Sequence, residues 1–193
     1  MSAEKLKCVV LVCGLASPDI GMKGAQWLNW LAFPYGFRYT PYWVAYYFWQ
    51  TQPEGKLGLS PDERLRQLRQ RVFKARKTAP KKDLPIFEDE GFLAFQLRTQ
   101  SQCFAQGYNG WMQDGKVICA PFEFKVESIR KDLPVYLWYG KQDVNVPAIH
   151  GIQTAAALGG QAYLRIEDET HASMEINYME EYLEEAVKCF DGK

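Results

Sequence analysis

The chain has 193 residues, of which 47% are hydrophobic and 24% charged, and its formal net charge is zero. That is an ordinary globular balance, long enough for one domain with a sizeable core. With neither sign in excess, it offers no broad electrostatic pull toward nucleic acid or a membrane surface.

The N-terminal stretch "MSAEKLKCVVLVCGL" lacks the pattern of a charged region, a long apolar run and a small-residue cleavage site. Its apolar run is only strand length, so neither a signal peptide nor a membrane span is expected. Five cysteines (Cys8, Cys13, Cys103, Cys119, Cys189) are scattered, odd in number and free of any Cys-x-x-Cys pair. This favours reduced thiols in a cytoplasmic protein over a disulfide frame or a zinc site.

Residues 7–12 form a β-branched run that suits a strand buried on both faces. A loop with Pro18, Gly21 and Gly24 follows. The segment from Trp27 to Trp49 then holds twelve of the chain's 28 aromatic residues. Pro34, Gly36 and Pro41 interrupt it, which predicts short helices instead of one long one. "SPDE" places Ser60 at an N-cap, Pro61 at the first helical position and Glu63 where a capping box needs it. The helix runs from there to about Lys77, with Leu65, Leu68 and Val72 on one face. Nine basic residues lie between Arg64 and Lys82, either as a solvated outer face or as a surface for an acidic ligand or the acidic C-terminus. A helix over 88–106 stops at Gly107, and another covers 110–119.

From Pro134 the pattern changes. Strand 134–139, helix 147–158, strand 161–166 and an acidic helix over 174–190 alternate. Such alternation implies a parallel sheet. The expected fold is α/β, a short parallel sheet of about three strands in a single domain. Its core is 1–14 with 133–193, and 15–132 forms a large helical lid insertion. No internal repeat, Gly-x-Gly-x-x-Gly or metal-ligand cluster stands out, so no cofactor is expected.

In open α/β sheets, ligands sit beyond the carboxyl ends of the strands. Asp143 follows strand 134–139 and His171 follows strand 161–166, so adjacent parallel strands bring the two together. Such an Asp fixes the tautomer of the imidazole and makes His171 a candidate general base. His150, inside a predicted helix, reads as an ordinary surface or satisfied histidine.

With their flanks included, these segments resemble the C-terminal half of α/β-hydrolase-fold proteins. "PVYLWYGKQDVNVP" is similar to that family's strand, Gly-x-x-Asp turn and acid. "EDETHASM" is similar to its final loop with the catalytic His. "KCVVLVCGLASPDIGMKG" resembles the strand and loop after the nucleophile helix, and "FAQGYNGWMQD…APFEF" the end of the helical lid. The resemblance implies a truncated α/β-hydrolase-like sheet. In the family, the nucleophile elbow G-x-S-x-G, the oxyanion-hole loop and the first half of the sheet would lie before residue 1. No G-x-S-x-G occurs, and Ser17 in "GLASPDIG" has the wrong spacing. Only Asp143 and His171 therefore carry over.

Cys13, at the end of the first strand, is either a packed residue or a replacement nucleophile. The unpaired edge of strand 7–12 predicts a homodimer joined antiparallel across a two-fold axis, or a partner chain supplying the missing half. The aromatic segment serves packing, or with Trp27, Trp30, Phe33, Tyr108, Trp111 and Phe122 lines a pocket for a small apolar organic molecule. Three functions follow. The first is a non-hydrolytic enzyme of small-molecule biosynthesis, catalysing an elimination, isomerisation or cyclisation through His171 and Asp143. The second is a non-catalytic ligand-binding or scaffold pseudoenzyme. The third is a hydrolase using Cys13 or a partner's serine.

Overall fold

The structure, a computed structural model, describes residues 6–191. Residues 1–5, part of the N-terminal stretch read above for targeting signals, lie outside the described residues, as do 192–193 at the end of the expected core. In chain order the elements are strand β1 (Val9–Val12), helices α1 (Trp27–Leu31), α2 (Phe37–Tyr39), α3 (Tyr42–Gln50), α4 (Pro61–Ala75), α5 (Leu84–Glu88), α6 (Glu90–Gln102) and α7 (Tyr108–Ile118), then β2 (Val135–Gly140), α8 (Ile149–Leu158), β3 (Ala162–Glu167), α9 (His171–Asn177) and α10 (Met179–Asp191). No helix among the described residues is long and apolar enough to cross a membrane. All five cysteines are free.

The chain is mixed α/β with an open three-stranded parallel sheet, in the order β1-β2-β3. It divides into two compact units. One joins the residues up to Pro34 to those from Ala120 onward, and the other is Tyr35–Cys119. Residues 15–34 and 120–132, read above as part of the insertion, cluster with the sheet.

The sheet unit follows from the pleat of β2, whose successive side chains leave on opposite faces. Val135, Leu137 and Tyr139 pack with Val146 and with Leu158 of α8. Trp138 packs on the other face with Cys13, Met174 of α9, Tyr178 between the two helices and Tyr182 of α10. β2 is thus covered on both sides, as a central parallel strand must be. Each buried side chain of this size contributes about 1.5–3 kcal/mol. Gly151 sets how closely α8 approaches, because a Cβ there would lie 2.3 Å from the Tyr139 ring.

In the other unit, Ser60 caps α4 by accepting the Glu63 N–H at 3.3 Å, while the Glu63 carboxylate accepts from Arg66 and Gln67. Leu65, Leu68 and Val72 do share a face, packed against Leu93 and Leu97 of α6. The basic run is partly internal. The Arg64 guanidinium holds the carbonyls of Pro53, Glu54 and Lys56, and Arg71 pairs with buried Glu54. Trp49, Phe104 and Trp111 pack ring on ring, with Phe37 against Trp111 at 4.8 Å between centroids.

Three helix boundaries differ from the sequence expectation. The helix expected over 88–106 breaks at Asp89, whose extended backbone and carboxylate cap α6 through the Phe92 N–H at 2.6 Å. Gly107, expected to end that helix, is instead the N-cap of α7, with φ +81°. The acidic helix expected to begin near Met174 begins at His171 and is interrupted at Tyr178. At Asp89 and Thr170 a side-chain cap outweighs helix propagation, and at Gly107 the left-handed backbone sets the boundary.

Gly151→Ala is expected to destabilise the sheet unit by about 1–3 kcal/mol through overpacking against Tyr139. Urea denaturation of the variant beside the wild type, monitored by tryptophan fluorescence, measures it.

Candidate acid–base site

β2 ends at Gly140, and the chain turns through a loop to Asp143. The turn is closed by the Asp143 N–H on the Gly140 carbonyl at 3.3 Å. Gly140 is required there, since a Cβ would meet the Glu169 carbonyl oxygen at 2.2 Å. The loops after β2 and β3 come together only because that side chain is missing.

Asp143 Oδ1 accepts the N–H groups of Asn145 at 2.7 Å and Val146 at 2.9 Å, an Asx-type turn. These bonds orient the carboxylate and leave Oδ2 for His171 Nδ1 at 2.8 Å. The Asp143 side chain is 0% exposed and that of His171 29%. Burial of a carboxylate is tolerable only with such partners. His171 is the first residue of α9. Its backbone is set by a reciprocal capping box between Thr170 and Ser173, backed by the Ser173 hydroxyl on Glu169 at 2.5 Å. A carboxylate only accepts, so Nδ1 carries the proton and Nε2 of the neutral ring is an acceptor. Nε2 lies 3.6 Å from Glu175 Oε1, one turn along α9.

Cys13 completes a cluster. Its Sγ, a carboxylate oxygen of Asp143 and a ring nitrogen of His171 lie within 4.8 Å of one another. Among the described residues, Cys13 is the one non-glycine with a left-handed backbone, φ +47°. Such a conformation costs about 1–3 kcal/mol and persists only where its surroundings enforce it. Burial and the adjacent Asp143 carboxylate push the thiol well above its ordinary range, so it stays protonated. Ser17 donates to the Asp19 carboxylate and is not part of the cluster.

The predicted binding aromatics fall into both units. α1, which carries Trp27 and Trp30, is tied to the Asp143 loop. The Gln26 N–H donates to the Val144 carbonyl at 2.8 Å, and the side-chain amides of Gln26 and Asn29 donate to Asn145 Oδ1 at 2.8 and 3.1 Å. Trp27 is 74% exposed, Trp30 is also exposed, and Phe33 is half-buried. Phe122 stacks on Phe124, with centroids 5.3 Å apart, and lines a cleft of about 490 Å³ with Pro18, Ile20, Lys125 and Thr154. Neither Asp143 nor His171 lines that cleft. In the other unit Tyr108 is 0% exposed, its hydroxyl donating to the Gly55 carbonyl at 2.6 Å and accepting from Gln50, while Trp111 packs half-buried beside it.

Sequence reasoning missed Glu175, Asn145 and the Thr170–Ser173 box. Glu175 stands four residues after His171, a spacing that places it on the imidazole once the helix is known to begin at His171. "ETHAS" held the capping signal. No protein-family model matches the chain, and no curated protein or solved structure matches it.

His150 is buried, not at the surface, and its Nδ1 accepts the Ala16 N–H at 3.2 Å, joining the loop after β1 to α8. Burial lowers its pKa from 6.5, an effect that nearby Asp143 partly opposes. Below pH 6.5 the unfolded chain takes up a proton that the folded histidine resists, so the unfolded state gains. This contribution to stability is complete above 6.5 and falls away as the pH drops toward the folded value. Denaturation midpoints at a series of pH values should fall on acidification in the wild type and fall less in His150→Gln.

Proposed function

We propose that this chain is an α/β-hydrolase-like enzyme of small-molecule biosynthesis that catalyses proton transfer, not ester hydrolysis. Its substrate is a small apolar organic molecule. The reaction is an elimination, isomerisation or cyclisation in which His171 moves the proton. The observation that carries this reading is the hydrogen bond from His171 Nδ1 to buried Asp143 at 2.8 Å. It leaves Nε2, which lies 3.6 Å from the Glu175 carboxylate, as the nitrogen that takes up a proton. The ring takes a proton there, the Asp143 carboxylate stabilises the positive charge that forms, and the proton returns to another atom of the product or leaves with a departing group. The strand order, with the acid after β2 and the histidine after β3, supports the hydrolase-like lineage. The exposed rings of Trp27 and Trp30, carried on the helix tied to the Asp143 loop, suit an apolar substrate. The protonated, buried thiol argues against Cys13 as a nucleophile.

Native mass spectrometry of the freshly purified chain would name the co-purifying molecule, and turnover of that molecule is the assay. His171→Ala should lower kcat by roughly 10²–10⁴-fold, and Asp143→Asn by a similar factor, because the wrong tautomer then faces the substrate. Unchanged turnover in His171→Ala sinks the proton-transfer role.

The working unit is proposed to be a homodimer joined through the β1 edge, with the strands antiparallel. α10 packs beside β1 and turns Leu183, Val187 and Phe190 outward in an unbroken apolar stripe, which a second copy would cover. Light scattering on a sizing column should give a dimer for the wild type and a monomer for Val187→Glu. A monomeric wild type removes the proposal.

A further inference from the structure

Cys13, Asp143 and His171 together have a property that neither the dyad nor the thiol has alone. Three different donor types, a thiol sulfur, a carboxylate oxygen and an imidazole nitrogen, sit within 4.8 Å of one another. They come from the ends of three adjacent strands. In a tetrahedral zinc site such donors sit about 3–4 Å apart, so an inward movement of about 1 Å completes the geometry. The supports expected of a metal site are in place. Asp143 Oδ1 is held by two backbone N–H groups, which fixes the carboxylate so that Oδ2 faces His171 Nδ1, the contact an ion would replace. His171 is fixed by its capping box, and the Cys13 thiol, on a left-handed backbone, lies within 4.8 Å of the other two donors.

We propose that Cys13 Sγ, Asp143 Oδ2 and His171 Nδ1 bind one thiophilic divalent ion of the zinc or cobalt class, with water in the fourth position. Sulfur and imidazole nitrogen select such ions over magnesium or calcium. On binding, the thiol gives its proton to solvent and the imidazole changes tautomer through solvent, Nδ1 losing its proton and Nε2, beside Glu175, taking one up. The ring stays neutral, and the dication offsets the two negative charges of the thiolate and the Asp143 carboxylate. This goes beyond the proton-transfer reading and opposes it, since the ion takes the Nδ1–Oδ2 contact that poises the imidazole. The ion is therefore an inhibitor of that chemistry.

The test is a Co²⁺ titration of chelator-treated full-length protein without substrate, followed by Zn²⁺ competition. One equivalent should bind with near-ultraviolet sulfur-to-cobalt absorption. Cys13→Ser should abolish that absorption, and Cys8→Ser and Cys189→Ser should retain it. Affinity should fall more than the roughly 10–100-fold typical when only a supporting hydrogen bond is lost. A wild type without the band, or a band unchanged in Cys13→Ser, overturns the proposal. Should Cys13→Ser fail to fold, Asp143→Asn and His171→Gln decide, since unchanged Co²⁺ affinity in both overturns it equally. Because no substrate is present, the result is independent of whether His171 transfers protons.

Discussion

The site rests on one hydrogen bond, from His171 Nδ1 to a carboxylate with no exposed surface. A buried carboxylate is costly unless each lone pair that faces the interior finds a donor. Here the Asp143 loop supplies two N–H groups and His171 the third. The neighbouring structure serves that arrangement. Gly140 lets the two loops touch, the Thr170–Ser173 box starts α9 at the required residue, and Gly151 lets α8 rest against Tyr139 directly beneath the loop. Removing a donor would leave charge buried without compensation, so the loop, the helix start and the sheet end stand or fall together.

Cys13 introduces a tension into this site. Its backbone is strained and its thiol is buried beside a carboxylate, which suppresses nucleophilic reactivity. A cation would reverse that suppression, because a coordinated thiol gives up its proton. Under the two proposals, proton transfer and ion binding would compete for the same atoms of these three residues.

The aromatic segment divides between two roles. Phe104 and Tyr108 are core of the helical unit, and half-buried Phe37, Trp49 and Trp111 pack around them. Trp27 and Trp30 belong to the sheet unit, on a helix anchored beside the Asp143 loop, with exposed rings. Packing and surface exposure thus fall to different rings of one sequence stretch.

Periodicity and end signals in the sequence determined the strand–helix alternation from Pro134, the parallel sheet and the Ser60 cap, because these depend on neighbouring residues. The meeting of Asp143 with His171 was legible too, since parallel strands deliver their C-terminal loops to the same edge. The start of α9 was not, because a capping box in "ETHAS" competes with the longer apolar pattern beyond it, and Glu175 was hidden with it. Only the tertiary structure decided that Cys13 joins the dyad across 130 residues of chain, that Tyr108 is core, and that His150 is buried. Those outcomes turn on distances of a few ångströms between segments remote in sequence, set for Cys13 and His150 by the packing around β2 and for Tyr108 by its contacts with Gln50 and Gly55, and no local pattern encodes them.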